Sequence, residues 1–108
     1  MPLTLPAPVA RYFEAQRSRD VDAQTECFTD DAVVHDEERD YQGLAAIRAW
    51  KEAVQQKFEY ESEPRSATES GNIVTVSVHL SGNFPGSPID LDHTFTLAGG
   101  KISSLVID

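Results

Sequence analysis

With 108 residues, 40% of them apolar and 25% charged, the chain has the size and balance of one soluble globular domain. Its 18 acids against 9 basic residues give a net charge of −9, which repels nucleic acid and anionic membrane surfaces and argues against both as partners. A single cysteine, Cys27, excludes an internal disulfide and a thiolate zinc cluster, and no apolar stretch approaches the roughly 20 residues of a membrane span.

The first stretch, MPLTLPAPVARYF, lacks the basic start and long apolar run of a signal peptide, so the expected compartment is the cytoplasm. Pro2, Pro6 and Pro8 make residues 1–6 an extended N-terminal piece, with residues 7–108 forming the one domain. Pro8 suits the first turn of a helix, in which Val9, Tyr12, Phe13 and Gln16 share one face. A second helix, DVDAQTECF, opens with Asp20 or Asp22 as its cap and turns Ala23, Cys27 and Phe28 inward. Cys27 has no histidine near it in sequence and reads as a small buried thiol.

A short strand, Ala32 to Asp36, then ends in the charged run His35, Asp36, Glu37 and Glu38. Tyr41, Gln42 and Gly43 read as a turn, and LAAIRAWKEAVQQKF as the longest helix. Its apolar stripe is Ile47, Trp50, Val54 and Phe58, with Arg48, Lys51, Glu52 and Lys57 assigned largely to other sides.

Beyond that helix the apolar period falls from 3.6 to 2. A strand over EYESEP is followed by a mixed stretch and then NIVTVSVHL, with Val74, Val76, Val78 and Leu80 on one face. The other face carries Ile73, Thr75, Ser77 and His79. SGNFPGSP is a long hairpin connection, dense in turn residues. IDLDHTFTL alternates Ile89, Leu91, His93, Phe95 and Leu97 against Asp90, Asp92, Thr94 and Thr96. After Ala98–Gly99–Gly100 the strand KISSLVID closes the sheet. Helices first and antiparallel strands after them make a segregated α+β domain. The strand-rich half must curl over the long helix, leaving a cone with a cavity at its open end.

The run from Ala10 to Glu37 resembles the opening of the nuclear-transport-factor-2-like superfamily, and its SnoaL-like and ketosteroid-isomerase-like members in particular. The resemblance is carried by an aromatic-bearing helix, an acid-capped second helix, and the turn Phe28, Asp30, Asp31, Ala32, Val34 into the first strand. YQGLAAIRAW and DHTFTLAGGKISSLVID resemble that family's next helix and closing hairpin, so nearly the whole chain is covered. What the resemblance implies is a cone-shaped α+β barrel: a strongly curved, mostly antiparallel mixed sheet wrapped around a long helix, with N-terminal helices closing the cone. A homodimer joined by its sheets is implied as well, and the Thr75–His79 face suits such a contact. The superfamily contains isomerases, cyclases, dehydratases and non-catalytic members, so fold alone does not fix activity.

In the ketosteroid isomerases a helix tyrosine and a strand acid hold an enolate oxygen while a strand-end aspartate moves the proton. By position in the motif, Tyr12 and Asp36 match the tyrosine and the proton-moving aspartate. The strand acid falls on His93, since Asp92 points to the opposite face; Glu37 stands where the isomerases often have proline. Asp36, Tyr12 and His93 are therefore the candidate catalytic residues, with Phe28, Trp50 and Phe95 as candidate apolar ligand contacts. No cofactor is expected, and no histidine spacing supports a metal. The bland readings stand beside these. Asp36 could be a strand-end acid in water, Tyr12 and His93 satisfied core residues, and Trp50 and Phe58 simple core. Two functions follow: a small, largely apolar molecule bound in the cone with acid–base chemistry, or a non-catalytic dimeric assembly module. The second predicts a filled cone, or Asp36 ion-paired with Arg11 or Arg39.

Overall fold

A computed structural model describes residues 4–108. The expected N-terminal piece thus lies outside the described residues as far as residue 3, while Leu5 packs against the core. Three helices and six strands follow in the order α1 (Ala7–Arg17), α2 (Val21–Glu26), β1 (Phe28–Asp36), β2 (Arg39–Gln42), α3 (Leu44–Lys57), β3 (Tyr60–Ser70), β4 (Ile73–Gly82), β5 (Ile89–Ala98) and β6 (Lys101–Ile107).

The α+β class and the mixed sheet are as expected. The strands lie in the order β2-β1-β6-β5-β4-β3, and only β1 and β6 run parallel. The sheet curls without closing, so β2 and β3 are both edges. Its concave face is covered by two helices: α3 lies against β1 and β2, and α1 against β3 and β6.

Local chemistry explains the helix ends. Pro8 sits in the first turn of α1, and the Asp20 carboxylate caps α2 by accepting from the Ala23 amide at 3.1 Å. Gly43 precedes α3 with φ of 87°, a conformation that favours glycine, and its amide bonds the Ala32 carbonyl at 2.8 Å.

Four sequence expectations need correction. The residues Arg39 to Gln42 form a strand, not only a turn, because Glu37 and Glu38 reverse the chain with φ of 52° and 64° and pair Asp36 with Arg39. Positive φ at both central positions is the hairpin solution that matches strand twist, although it is strained for glutamates. β1 begins at Phe28, four residues early, with an irregularity between Phe28 and Val33. β3 runs unbroken to Ser70 through Pro64, which an edge strand tolerates at the bulge between Pro64 and Ser66. In α2 the fully buried residue is Gln24, not Ala23, and its amide is held by the Asp20 carbonyl and the Gln55 side chain.

The core gathers Val9, Tyr12 and Phe13 from α1, Phe28 and Val34 from β1, Ile47 and Trp50 from α3, Val74, Val76 and Val78 from β4, Phe95 from β5, and Ile102 and Leu105 from β6. The Tyr12 ring stands edge-on to Phe13, Phe28 and Phe95 at centroid distances of 5.4, 5.8 and 5.6 Å. No helix among the described residues is long and apolar enough to cross a membrane.

Candidate functional site

The curled sheet and the two helices leave a cavity of about 360 Å³ at the open end. Its inner wall is polar: Tyr12 and Gln16 from α1, Asp36 from the end of β1, Trp50 and Lys51 from α3, Tyr60 from β3 and His93 from β5. Val54, Phe58, Leu80, Phe84, Ile89, Leu91 and Ile107 supply the apolar sides and mouth. A largely apolar enclosure with a few converging polar groups is the usual form of a small-molecule site.

Asp36 stands on the strand face of Val34 and so follows that side chain inward. The indole Nε1 of Trp50 donates to its Oδ2 at 3.2 Å, and Asp36 makes no ion pair among the described residues. Tyr41 stacks on the Trp50 indole, 5.8 Å between centroids. Burial raises the Asp36 carboxyl above its usual range, opposed by the Trp50 hydrogen bond.

Tyr12 and His93 converge on the same space. Both are buried, and neither the Tyr12 hydroxyl nor His93 Nδ1 has a hydrogen-bond partner. Buried polar atoms are nearly always paired, so two unpaired ones on residues that line the cavity are unusual. Burial, reinforced by Lys51, lowers the His93 imidazole to about 4, which keeps it neutral at physiological pH. Burial lifts Tyr12 well above its usual value, with Tyr60 and Asp36 adding to the rise. Both rings are therefore neutral hydrogen-bonding groups.

Two of the expected apolar contacts lie elsewhere. Phe28 and Phe95 are buried behind Tyr12 and do not line the cavity, whereas Trp50 does. The register explains Phe95: it is one inward position beyond His93, deeper under α1. His35 and His79 lie outside the cavity and pair with Asp40 and Asp90 at 2.6 and 2.7 Å. No group of three metal-ligating side chains is found among the described residues.

The main correction concerns Lys51. The helix reading put it away from the apolar stripe, yet it is 2% exposed and lines the cavity. Its Nζ lies 4.7 Å from the Tyr12 ring centre and 4.6 Å from that of Trp50. Burial lowers its ammonium to about 7, with Asp36 pulling the other way. The signal was in the sequence: Lys51 is four residues after Ile47 and three before Val54, which is the spacing of the stripe itself. Gln16 and Tyr60 complete a second polar pair. The Gln16 Nε2 donates to the Tyr60 hydroxyl at 3.1 Å and to Ser62 Oγ at 2.6 Å, and burial raises Tyr60 to about 12.

Comparison with known proteins places this geometry in context. A candidate polyketide cyclase from Sinorhizobium meliloti is similar at 41% identity, with 96% of this chain and 95% of that one covered and a TM-score of 0.94. SalBIII, an epoxide hydrolase/cyclase-like enzyme of pyran ring formation in polyether salinomycin, is similar at 29% identity over 93% of this chain and 85% of that one, with a TM-score of 0.81. A ketosteroid isomerase-like protein from Catenulispora acidiphila shares the fold at 20% identity, covering 97% of this chain and 86% of that one at a TM-score of 0.85. No curated protein matches the chain. The SnoaL-like domain matches residues 9–105, nearly the whole length, and the chain belongs to the SnoaL-like domain family.

Proposed function

We propose that the protein binds a small, largely apolar carbonyl compound in the cone cavity and moves a proton next to that carbonyl, with Asp36 as the base. The observation that carries this reading is the convergence of a desolvated carboxylate, Asp36, with two unpaired buried polar atoms, the Tyr12 hydroxyl and His93 Nδ1, around one open cavity. A raised carboxyl is better matched to accepting and returning a proton near neutral pH than an ordinary one. The neutral Tyr12 and His93 would bond the oxygen on which negative charge develops. Similarity to cyclase-like proteins agrees with a cyclase-type reaction.

The assembly reading requires a filled cone or an Asp36 tied to Arg11 or Arg39. The open cavity and the Trp50 partner of Asp36 favour the ligand reading over it. A homodimer joined by the outer sheet face around Thr75 and Ser77 belongs to the same proposal. Sedimentation at micromolar concentration tests that part, and a monomer mass would remove it.

The test of the site is a thermal-shift screen of small carbonyl, steroid-like and aromatic compounds on wild type and Asp36→Asn. A ligand at about 100 times its dissociation constant stabilises the fold by roughly 2.7 kcal/mol, a resolvable shift. A hit whose shift changes in Asp36→Asn supports the reading. A broad library without hits, or hits indifferent to Asp36, would overturn it.

A further inference from the structure

Lys51 is unlike a lysine that serves a fold. Structural buried lysines are held by a carboxylate or by carbonyl oxygens, because an unpaired buried cation is costly. Lys51 is 2% exposed and has no ion pair among the described residues. What surrounds its Nζ is the cavity on one side and the faces of Tyr12 and Trp50, at 4.7 and 4.6 Å, on the other. Titratable groups line the cavity from each neighbouring element: Tyr12 on α1, Asp36 at the end of β1 with Glu37 after it, Lys57 at the exposed end of α3, Tyr60 on β3 and His93 on β5.

We propose that Lys51 is a covalent capture residue, whose amine condenses with an aldehyde or ketone in the cavity to form a Schiff base. The inference rests on the cavity being the small-molecule site proposed above, and it fixes the substrate's reactive group as a carbonyl. The Nζ lone pair attacks the carbonyl carbon, and the C=O π pair moves to oxygen, which takes up the proton released from nitrogen. The carbinolamine then loses its hydroxyl as water, protonated by the carboxylic acid form of Asp36, and leaves a C=N bond to Lys51. The net change is one carbonyl, one amine and the Asp36 proton to one protonated imine and one water, with Asp36 left as the carboxylate.

Three features of the site suit each stage. The attacking form is the free amine, and burial brings the ammonium down to about 7, so much of it is available near neutrality. The protonated imine keeps the positive charge where two aromatic faces already meet it. Asp36 lies on the wall of the same cavity, where it can donate a proton during dehydration and then remove one from the carbon next to the imine. A proton next to an iminium leaves more readily than one next to a ketone, so the capture would strengthen the proton transfer assigned to Asp36.

The test is reductive trapping of the intact protein with acetaldehyde, small enough for any cavity shape, and with 2-naphthaldehyde, each with cyanoborohydride at pH 7. Peptide mass mapping reads the three lysines separately, since the chain contains only Lys51, Lys57 and Lys101. The expected result is modification of Lys51 about tenfold or more above the exposed Lys57 and Lys101, as a desolvated amine should show. In Lys51→Arg the cation stays and the preferential label disappears. The carbonyl-free 2-naphthol, titrated by thermal shift, separates two kinds of failure. If 2-naphthol binds but Lys51 is labelled no faster than Lys57 or Lys101, the covalent inference is wrong and the binding site stands. If neither binding nor labelling occurs, both readings fall together.

Discussion

The Trp50 indole donates to the Asp36 carboxylate from α3 to the end of β1, across 3.2 Å, and this contact turns a charged strand end into part of a cavity wall. Burial outweighs that bond and the smaller help from Lys51 and the Glu37 amide, and leaves the carboxyl raised. A carboxylate held in place but incompletely satisfied is what proton transfer requires, and it is a poor device for stability.

That imbalance gives a pH-dependent expectation for Asp36→Asn. The Asp36 carboxyl is raised from the value of 3.8 that it has in an unfolded chain. The stability linked to its protonation is therefore fully present below that value and is lost as pH rises through the higher folded value. Asparagine does not ionise, so the variant should melt above wild type at pH 7, and the gap should close below about pH 4. Melting curves from acid to neutral pH check this. A variant that melts lower at neutral pH would mean that the Trp50 bond, not burial, dominates.

Lys51→Met should stabilise the protein in the opposite pH direction. The ammonium is lowered from 10.5 to about 7, so the unfolded chain holds its proton where the folded one has released it. The folding penalty is absent above the unfolded value, grows as pH falls and is complete below the folded one. Methionine keeps the length without the charge. An increase of about 1 kcal/mol or more is expected at neutral pH, or at least about 4 °C in Tm. The gap should narrow as pH rises toward 10. A variant less stable than wild type at neutral pH would point to cation–π packing as the stronger effect.

Tyr12→Phe separates a site hydroxyl from a structural one. The Tyr12 hydroxyl is fully buried and has no partner, so its removal should leave Tm unchanged or raise it slightly. Ligand-induced shifts should shrink at the same time. A loss of about 1 kcal/mol in the unliganded protein would instead reveal a hydrogen bond that serves the fold.

Gly82→Ala tests the pairing of the last residue of β4 with the first of β3. A Cβ at this position would meet the Tyr60 Cβ and Cα at 2.5 and 2.6 Å and the Glu59 carbonyl oxygen closer still. Backbone atoms on both sides leave no flexible group to move away. The substitution should cost about 1–3 kcal/mol, as overpacking does, with a falling Tm and a disturbed Tyr60 wall. An unchanged Tm would show that the hairpin opens at this point.

The periodicities that define α1, α3, β4 and β5 are local properties, and the sequence determined them without help from the fold. Val9, Tyr12 and Phe13 recur at helical spacing and Val74, Val76 and Val78 at strand spacing, and all six are buried. Motif position likewise singled out Asp36, Tyr12 and His93, which line one cavity. Depth along a strand is not local. His93 and Phe95 have the same face and nearly the same neighbours in sequence, and the cover supplied by α1 is what makes one a wall of the cavity and the other core. Lys51 illustrates the same limit from another side. Its spacing marks the apolar stripe, but its polarity argues for water, and a helix by itself offers it both faces. Only the cavity beyond α3 resolves that conflict, by giving the amine an apolar enclosure with aromatic faces instead of solvent. The sequence thus determined the elements and their inward faces, while tertiary packing decided which inward residues meet empty space, because a cavity is bounded by residues far apart in the chain.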